Sequence, residues 1–142
     1  MAGKRQQKIL IVEDDQELRH MLYRFLTYQG FYVQTACHGR DGYEALGRDS
    51  FDMVITDIYM PHMNGLELLE KIGHEYPHLV TLAMTGFPNT ELHKKVLEKG
   101  VSDCLVKPFP LSLLMTTIEK CFKRSGLQRS LSKPVFSKSI SV

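Results

Sequence analysis

FDMVITDIYMPHMNGLELL, residues Phe51 to Leu69, is the stretch on which the fold turns. Met53-Val54-Ile55 is a continuous apolar, β-branched run, the pattern of a strand buried on both faces. It ends on Thr56 and Asp57, and Met60-Pro61 and Asn64-Gly65 then punctuate the chain as turn formers do. From Gly65 to Ile72 the apolar residues return at helical spacing. A carboxylate closing a buried strand either caps a helix or stands at the centre of a site. Capping suits Asp57 poorly, because the following helix does not begin until about Asn64.

Working outward, the same alternation repeats. Lys8 to Val12 (KILIV) is another continuously apolar strand. Leu18, Met21, Leu22, Phe25 and Leu26 follow at the i, i+3, i+4, i+7, i+8 spacing of an amphipathic helix, which Gly30 ends. FYVQTA (Phe31 to Ala36) alternates as an edge strand does, and GRDGYEALGR (Gly39 to Arg48) makes a short helix. LVTLAM (Leu79 to Met84) is a fourth strand, and Asn89 to Lys99 a helix closed by Gly100. DCLV (Asp103 to Val106) is a fifth strand, after which Leu111, Leu114, Met115, Ile118, Cys121 and Phe122 line one face of a last helix. Five strands alternate with five helices through short connections, so the strands are parallel and joined by right-handed crossovers. This predicts a doubly wound α/β domain, flavodoxin-like, with a five-stranded parallel sheet. The most apolar strands, the first, third and fourth, belong in the middle and the second at an edge, which is the order 2-1-3-4-5.

The bulk properties bound the function. The chain has 142 residues, 43% hydrophobic and 24% charged, which suits one globular domain with a short excess. No apolar stretch approaches the roughly 20 residues of a membrane helix. The opening MAGKRQQK lacks the apolar centre of a signal peptide. Cys37, Cys104 and Cys121 are scattered and odd in number, which argues against a disulfide framework or a zinc site and for the reducing cytoplasm. The net charge of +2 is uneven: residues 123–142 hold five bases, six serines and no acid, and the preceding body is mildly acidic. We therefore expect a domain over 8–122, an N-terminal extension over 1–7 and a basic, Ser-rich tail or linker over 123–142. Nothing in the body points to direct nucleic-acid binding.

In doubly wound sheets ligands bind outside the carboxyl ends of the strands, where the winding reverses. There the first strand delivers Glu13-Asp14-Asp15, the third Asp57, the fourth Thr85-Gly86 and the fifth Lys107-Pro108. Acids crowded into one crevice repel unless a cation is present. All-oxygen ligands suit a hard divalent ion such as Mg²⁺. A Lys and a Thr hydroxyl opposite the acids suit an anion held with that metal, which together with a carboxylate nucleophile describes phosphoryl transfer to Asp. Taken singly, Asp14 or Asp15 caps a helix as readily as it binds metal, and Thr85 caps a turn. Jointly, four arrivals at one edge are hard to explain by capping.

VEDD, TDIYMPHMNG, MTG and VKPF, in this order between Lys8 and Phe122, resemble the response-regulator receiver domain, the CheY-like phosphoacceptor module of two-component signalling. The resemblance implies that Asp57 is the phosphoacceptor, with Mg²⁺ (or Mn²⁺) as cofactor. It makes Asp14 and Asp57 direct metal ligands, Glu13 a ligand through water, and the Tyr59 backbone carbonyl the third protein ligand. Thr85 would hydrogen-bond the phosphoryl group, and Lys107 would pair with it ahead of a cis peptide to Pro108. Asp15 is left as a helix cap. The implied partners are a sensor histidine kinase or histidine phosphotransfer protein and an output partner the sequence does not identify. The protein would not be an enzyme beyond its own phosphorylation and dephosphorylation. One position departs from the family pattern: Cys104 stands where an aromatic switch residue usually accompanies Thr85. The alternative is a haloacid-dehalogenase-like phosphatase, which also uses an Asp nucleophile with Mg²⁺. That chemistry needs a second acid two residues after the nucleophile, where this chain has Tyr59.

Overall fold

A computed structural model describes residues 6–59, 65–86 and 90–126 of the chain. The turn expected from Met60-Pro61 and Asn64, the expected helix start at Asn89, and the tail beyond Gly126 lie outside these residues. Among the described residues, strands and helices alternate as β1 (Lys8–Val12), α1 (Gln16–Tyr28), β2 (Tyr32–Ala36), α2 (Gly39–Arg48), β3 (Met53–Asp57), α3 (Gly65–Glu75), β4 (Val80–Thr85), α4 (Thr90–Glu98), β5 (Asp103–Val106) and α5 (Leu111–Ser125). The sheet is wholly parallel, in the order β2-β1-β3-β4-β5.

Side chains of a strand alternate between faces, and each face acquires its own core. Ile9, Ile11, Met53 and Ile55 pack on Leu22 and Leu26 of α1 and on Leu114, Ile118 and Phe122 of α5. Leu10, Val12 and Val54 face the other way, onto Ala45 and Leu46 of α2 and Leu68 and Ile72 of α3. A third group, Ile58, Leu69, Ala83, Val96, Val101 and Cys104, carries that second layer across to α4. β3 and β4 are buried along their whole length, whereas β2 exposes Tyr32 and Thr35. That contrast is why the uninterrupted apolar runs are central and the alternating one is at an edge.

Several boundaries differ from the sequence reading: β2 begins at Tyr32 and not Phe31, α4 ends at Glu98 and not Lys99, and three others have a visible cause. α3 runs on to Glu75, past Ile72, because Gly73, His74 and Glu75 continue the helix without an apolar contact to signal it. β4 is displaced by one residue, since the Leu79 amide closes a turn onto Tyr76 O (3.0 Å) while Val80 pairs with Met53. α5 reaches Ser125, three residues beyond Phe122, and closes on Gly126, whose φ of 86° is the left-handed conformation favouring glycine at a helix end. Asp15 caps α1 as expected, its carboxylate accepting from the Glu17 amide at 3.2 Å.

Candidate functional site

The edge formed by the carboxyl ends of the strands is held by the sheet itself. One step past β1, the Glu13 amide donates to Ala36 O of β2 (3.0 Å), and one step past β3 the Ile58 amide donates to Met84 O of β4 (3.0 Å). One step past β5, the Lys107 amide donates to Thr85 O (2.7 Å). Each of these residues therefore sits on the last rung of a parallel ladder. The Thr56 hydroxyl adds a bond to the Asp57 carbonyl oxygen (2.9 Å).

On this platform Lys107 reaches both acids. Its Nζ donates to Asp57 Oδ2 at 2.6 Å and to Glu13 Oε1 at 2.8 Å. Asp57 Oδ1 accepts from the Tyr59 amide (3.1 Å), and Glu13 Oε2 from the Asp15 amide (3.0 Å). Glu13 is fully buried, Asp57 and Thr85 nearly so, while Asp14 and Tyr59 face solvent. Burial pushes the Glu13 carboxyl up to about 7, against the pull of Lys107 and the Asp15 amide and with a push from Asp57. Burial also draws Lys107 down, but its bonds to Asp57 and Glu13 and their charges outweigh this and hold the ammonium above its ordinary value.

Carboxylate oxygens of Glu13, Asp14 and Asp57 lie within 4.8 Å of one another. Such an all-oxygen set fits a hard divalent cation and would not favour a soft one. Glu13, Asp14, Asp57, Tyr59, Thr85 and Lys107 lie at this edge, whereas Cys104 sits back inside β5, and the peptide between Lys107 and Pro108 is cis. Arg19 escaped the sequence reading: its Nη1 donates to Glu13 O (2.9 Å) and Asp14 O (3.4 Å), fixing the acidic turn from the first turns of α1. Its only signal is a cation one helical turn after the Asp15 cap. Cys104 is buried beside Ala83, and burial pushes its thiol up to about 11.

Lys107→Ala removes the partner of two buried acids, so the chain should lose about 3 kcal/mol of stability in metal-free buffer near pH 8. Folding raises the Glu13 pKa, so its protonation favours the native state. Stability should fall as pH rises from the ordinary carboxylate range toward 7, further in the variant than in wild type. The deficit should therefore narrow by about pH 5. Urea denaturation at both pH values checks this, and an equal deficit at each would mean that Lys107 does not act through these acids.

Alkylation should separate the cysteines. Cys37 is exposed, whereas Cys104 and Cys121 are buried. A thiol raised from 9.0 to about 11 holds roughly a hundredfold less thiolate near neutral pH. With iodoacetamide on the native protein, mass mapping should find Cys37 modified first and Cys104 at least a hundredfold more slowly. Comparable rates would contradict the buried placement of Cys104.

The family model for the response regulator receiver domain matches residues 9–119. A transcriptional regulatory protein of Escherichia coli, PcoR, is 32% identical over 125 residues, covering 86% of this chain and 54% of PcoR. A cyclic di-GMP phosphodiesterase of Thermotoga maritima is 32% identical over 135 residues, covering 90% of this chain and 36% of that protein. The chain thus spans between about a third and a half of the length of these two relatives. Among solved structures, a receiver domain protein of Clostridium thermocellum superposes with a TM-score of 0.79 at 27% identity, over 85% of this chain and 98% of that one. A chemotaxis CheY protein of Vibrio cholerae gives 0.79 at 28% identity, over 82% and 99%. Sequence match and three-dimensional likeness coincide on the same body of chain, which belongs to the response regulator receiver domain family of two-component signalling.

Proposed function

We propose that this receiver accepts a phosphoryl group on Asp57 from the phosphohistidine of a sensor histidine kinase or histidine phosphotransfer protein. The observation that carries the reading is Lys107 bridging Asp57 and Glu13 at 2.6 and 2.8 Å, which sets a fixed cation beside the carboxylate that would react. An Asp57 oxygen attacks phosphorus, the P–N bond breaks, and its electron pair returns to the imidazole, which takes up a proton. The product is an acyl phosphate. Lys107 then pairs with a phosphoryl oxygen, and the Thr85 hydroxyl donates to another. Asp14, Asp57 and the Tyr59 carbonyl, with Glu13 through water, would hold Mg²⁺ or Mn²⁺. When bound, this ion supplies positive charge to the transferring group. Turnover is confined to the protein's own phosphorylation and hydrolysis.

Phosphorylation is read out by an output partner through α4, β5 and α5. A ligand shifts such an equilibrium only by its differential affinity for the two states. Cys104 fills less space beside Thr85 than an aromatic ring, so the face responds less or recruits a partner's side chain. The receiver occupies 8–122 and the rest of α5 to Ser125, so the tail expected over 123–142 would begin after that helix, and an extension over 1–7 precedes the receiver. The protein works in the cytoplasm, in keeping with an exposed free thiol at Cys37.

Incubation with acetyl phosphate and Mg²⁺ should add one base-labile phosphoryl group, mapped by mass spectrometry to Asp57, and EDTA should suppress it. Labelling at another residue, or labelling indifferent to EDTA, would refute the reading.

A further inference from the structure

The acidic turn that leads from β1 into α1 is tied at both ends. On the sheet side the Glu13 amide donates to Ala36 O at 3.0 Å. On the helix side the Asp15 amide donates to Glu13 Oε2 at 3.0 Å, and the Asp15 carboxylate caps α1 through the Glu17 amide at 3.2 Å. Two carbonyls lie between these ties, and one side chain takes both. Nη1 of the half-buried Arg19 donates to Glu13 O at 2.9 Å and, more weakly, to Asp14 O at 3.4 Å. The Arg19 amide is itself bound to Asp15 O at 2.9 Å, so the donor and the turn close one loop of bonds.

The two acids of this turn are held differently. Glu13 is fully buried, and Lys107 and the Asp15 amide bond its carboxylate. Asp14 is exposed, and among the described residues its carboxylate has neither a hydrogen bond nor an ion pair. One of its oxygens nonetheless lies within 4.8 Å of an oxygen of Glu13 and one of Asp57. Negative charges so close repel, and a tilt of the turn would part them. What resists the tilt is main chain. The Glu13 carbonyl shares a rigid peptide plane with the nitrogen and Cα of Asp14, so holding that oxygen orients the atom from which the Asp14 side chain springs.

We propose that Arg19 is a positioning residue for the divalent cation: by gripping the Glu13–Asp14 peptide it keeps the exposed Asp14 carboxylate beside Glu13 and Asp57. The inference rests on the reading of this edge as a Mg²⁺ or Mn²⁺ site. It does not rest on charge, because a cation beside the cleft repels a divalent ion. Charge and geometry therefore call for opposite outcomes when Arg19 is removed. As a charge alone, its loss should tighten the ion. As the grip on the turn, its loss should loosen the ion, since Mg²⁺ demands near-ideal placement of its few protein ligands. Removing an outer partner that orients a ligand typically costs about 10- to 100-fold in metal affinity.

The test titrates Mg²⁺ into the metal-free full chain, with no phosphoryl donor, and follows the ¹⁵N–¹H shifts of Asp14, Asp15 and Tyr59. Wild type is compared with Arg19→Met, which keeps an apolar stem without charge or donors, and Arg19→Lys, which keeps charge and a donor without the planar fork. Arg19→Met should bind Mg²⁺ about tenfold more weakly or worse, and Arg19→Lys should recover part of the loss. In the metal-free proteins the ¹³C shift of the Glu13 carbonyl should move in Arg19→Met, marking the lost bond, while circular dichroism shows that the variant is folded. Equal or tighter Mg²⁺ binding by folded Arg19→Met would overturn the inference alone, as would an unmoved Glu13 carbonyl. Arg19→Ala takes the place of Arg19→Met if the latter does not fold, and failure of both to fold would also overturn it, because the role would then be to the fold at large. A wild type indifferent to Mg²⁺ would overturn the cation reading and the inference together.

Discussion

The Asp57→Asn protein is expected to take up no phosphoryl group from acetyl phosphate and Mg²⁺ while remaining folded. Asn keeps the shape of the side chain and still offers an oxygen to the Tyr59 amide, which Asp57 Oδ1 now accepts at 3.1 Å. What disappears is the carboxylate proposed as the nucleophile. The charge change works in two directions. Lys107 loses one partner at 2.6 Å but keeps Glu13 at 2.8 Å, and Glu13 loses the negative neighbour that helps to push its carboxyl up. These effects oppose each other, so stability should stay within about 1 kcal/mol of wild type. Circular dichroism establishes that the variant is folded, and intact mass after labelling gives the readout. A folded variant that still gains one phosphoryl group would remove Asp57 from its assigned role.

Gly65→Ala is expected to produce the largest loss of stability of any single methyl added to the described glycines. A Cβ at this position would lie 2.2 Å from the Asp57 carbonyl oxygen and 2.5 Å from Ile58 Cα. Both neighbours are backbone, so neither can swing aside as a flexible side chain would. They are also pinned, since the Gly65 amide donates to Ile58 O at 2.7 Å and Ile58 in turn donates to Met84 O. Relief requires the first turn of α3 to move off the end of β3, at a cost of roughly 3 kcal/mol or more. Gly47→Ala is the matched control. Nothing lies within 4 Å of its added Cβ, and Gly47 is exposed in α2. There the gain in helix propensity should raise stability by roughly 0.5–1 kcal/mol. Thermal melts of the two variants should move in opposite directions. A Gly65→Ala melt coinciding with wild type would show that α3 does not abut β3 as closely as described.

Much of this architecture was legible because burial and sequence pattern share a cause. Met53 to Ile55 and Ile9 to Val12 are sandwiched between helices on both faces, so no polar residue interrupts them, and reading them as central strands followed directly. Helix ends were less legible. Gly73 to Glu75 extend α3 without burying an apolar group, and the one-residue displacement of β4 follows from its pairing with β3, which no property of LVTLAM specifies. At the site, the arrival of Glu13, Asp57, Thr85 and Lys107 at one edge follows from topology once the strands are placed. Which acid is buried does not. Glu13 and Asp14 are adjacent and chemically alike, yet the pleat turns one inward to Lys107 and the other to solvent. Arg19 was missed for a similar reason, since a cation in the first turns of an exposed helix usually addresses water.

The placement of Glu13, Ile58 and Lys107 on the final rungs of three ladders ties the geometry of the cleft to correct assembly. Side chains on a strand alternate faces, so a slip of one residue in β1, β3 or β5 would turn the whole set away from its partners. A chain misaligned in any one of the three could still bury much of its apolar surface, but it could not bring Glu13, Asp57 and Lys107 together. The assembled cleft is therefore a report on strand alignment. Any reagent that needs all three groups counts only molecules whose strands have found their proper alignment, and so measures the yield of accurate folding in a population that bulk spectroscopy would score as uniformly native.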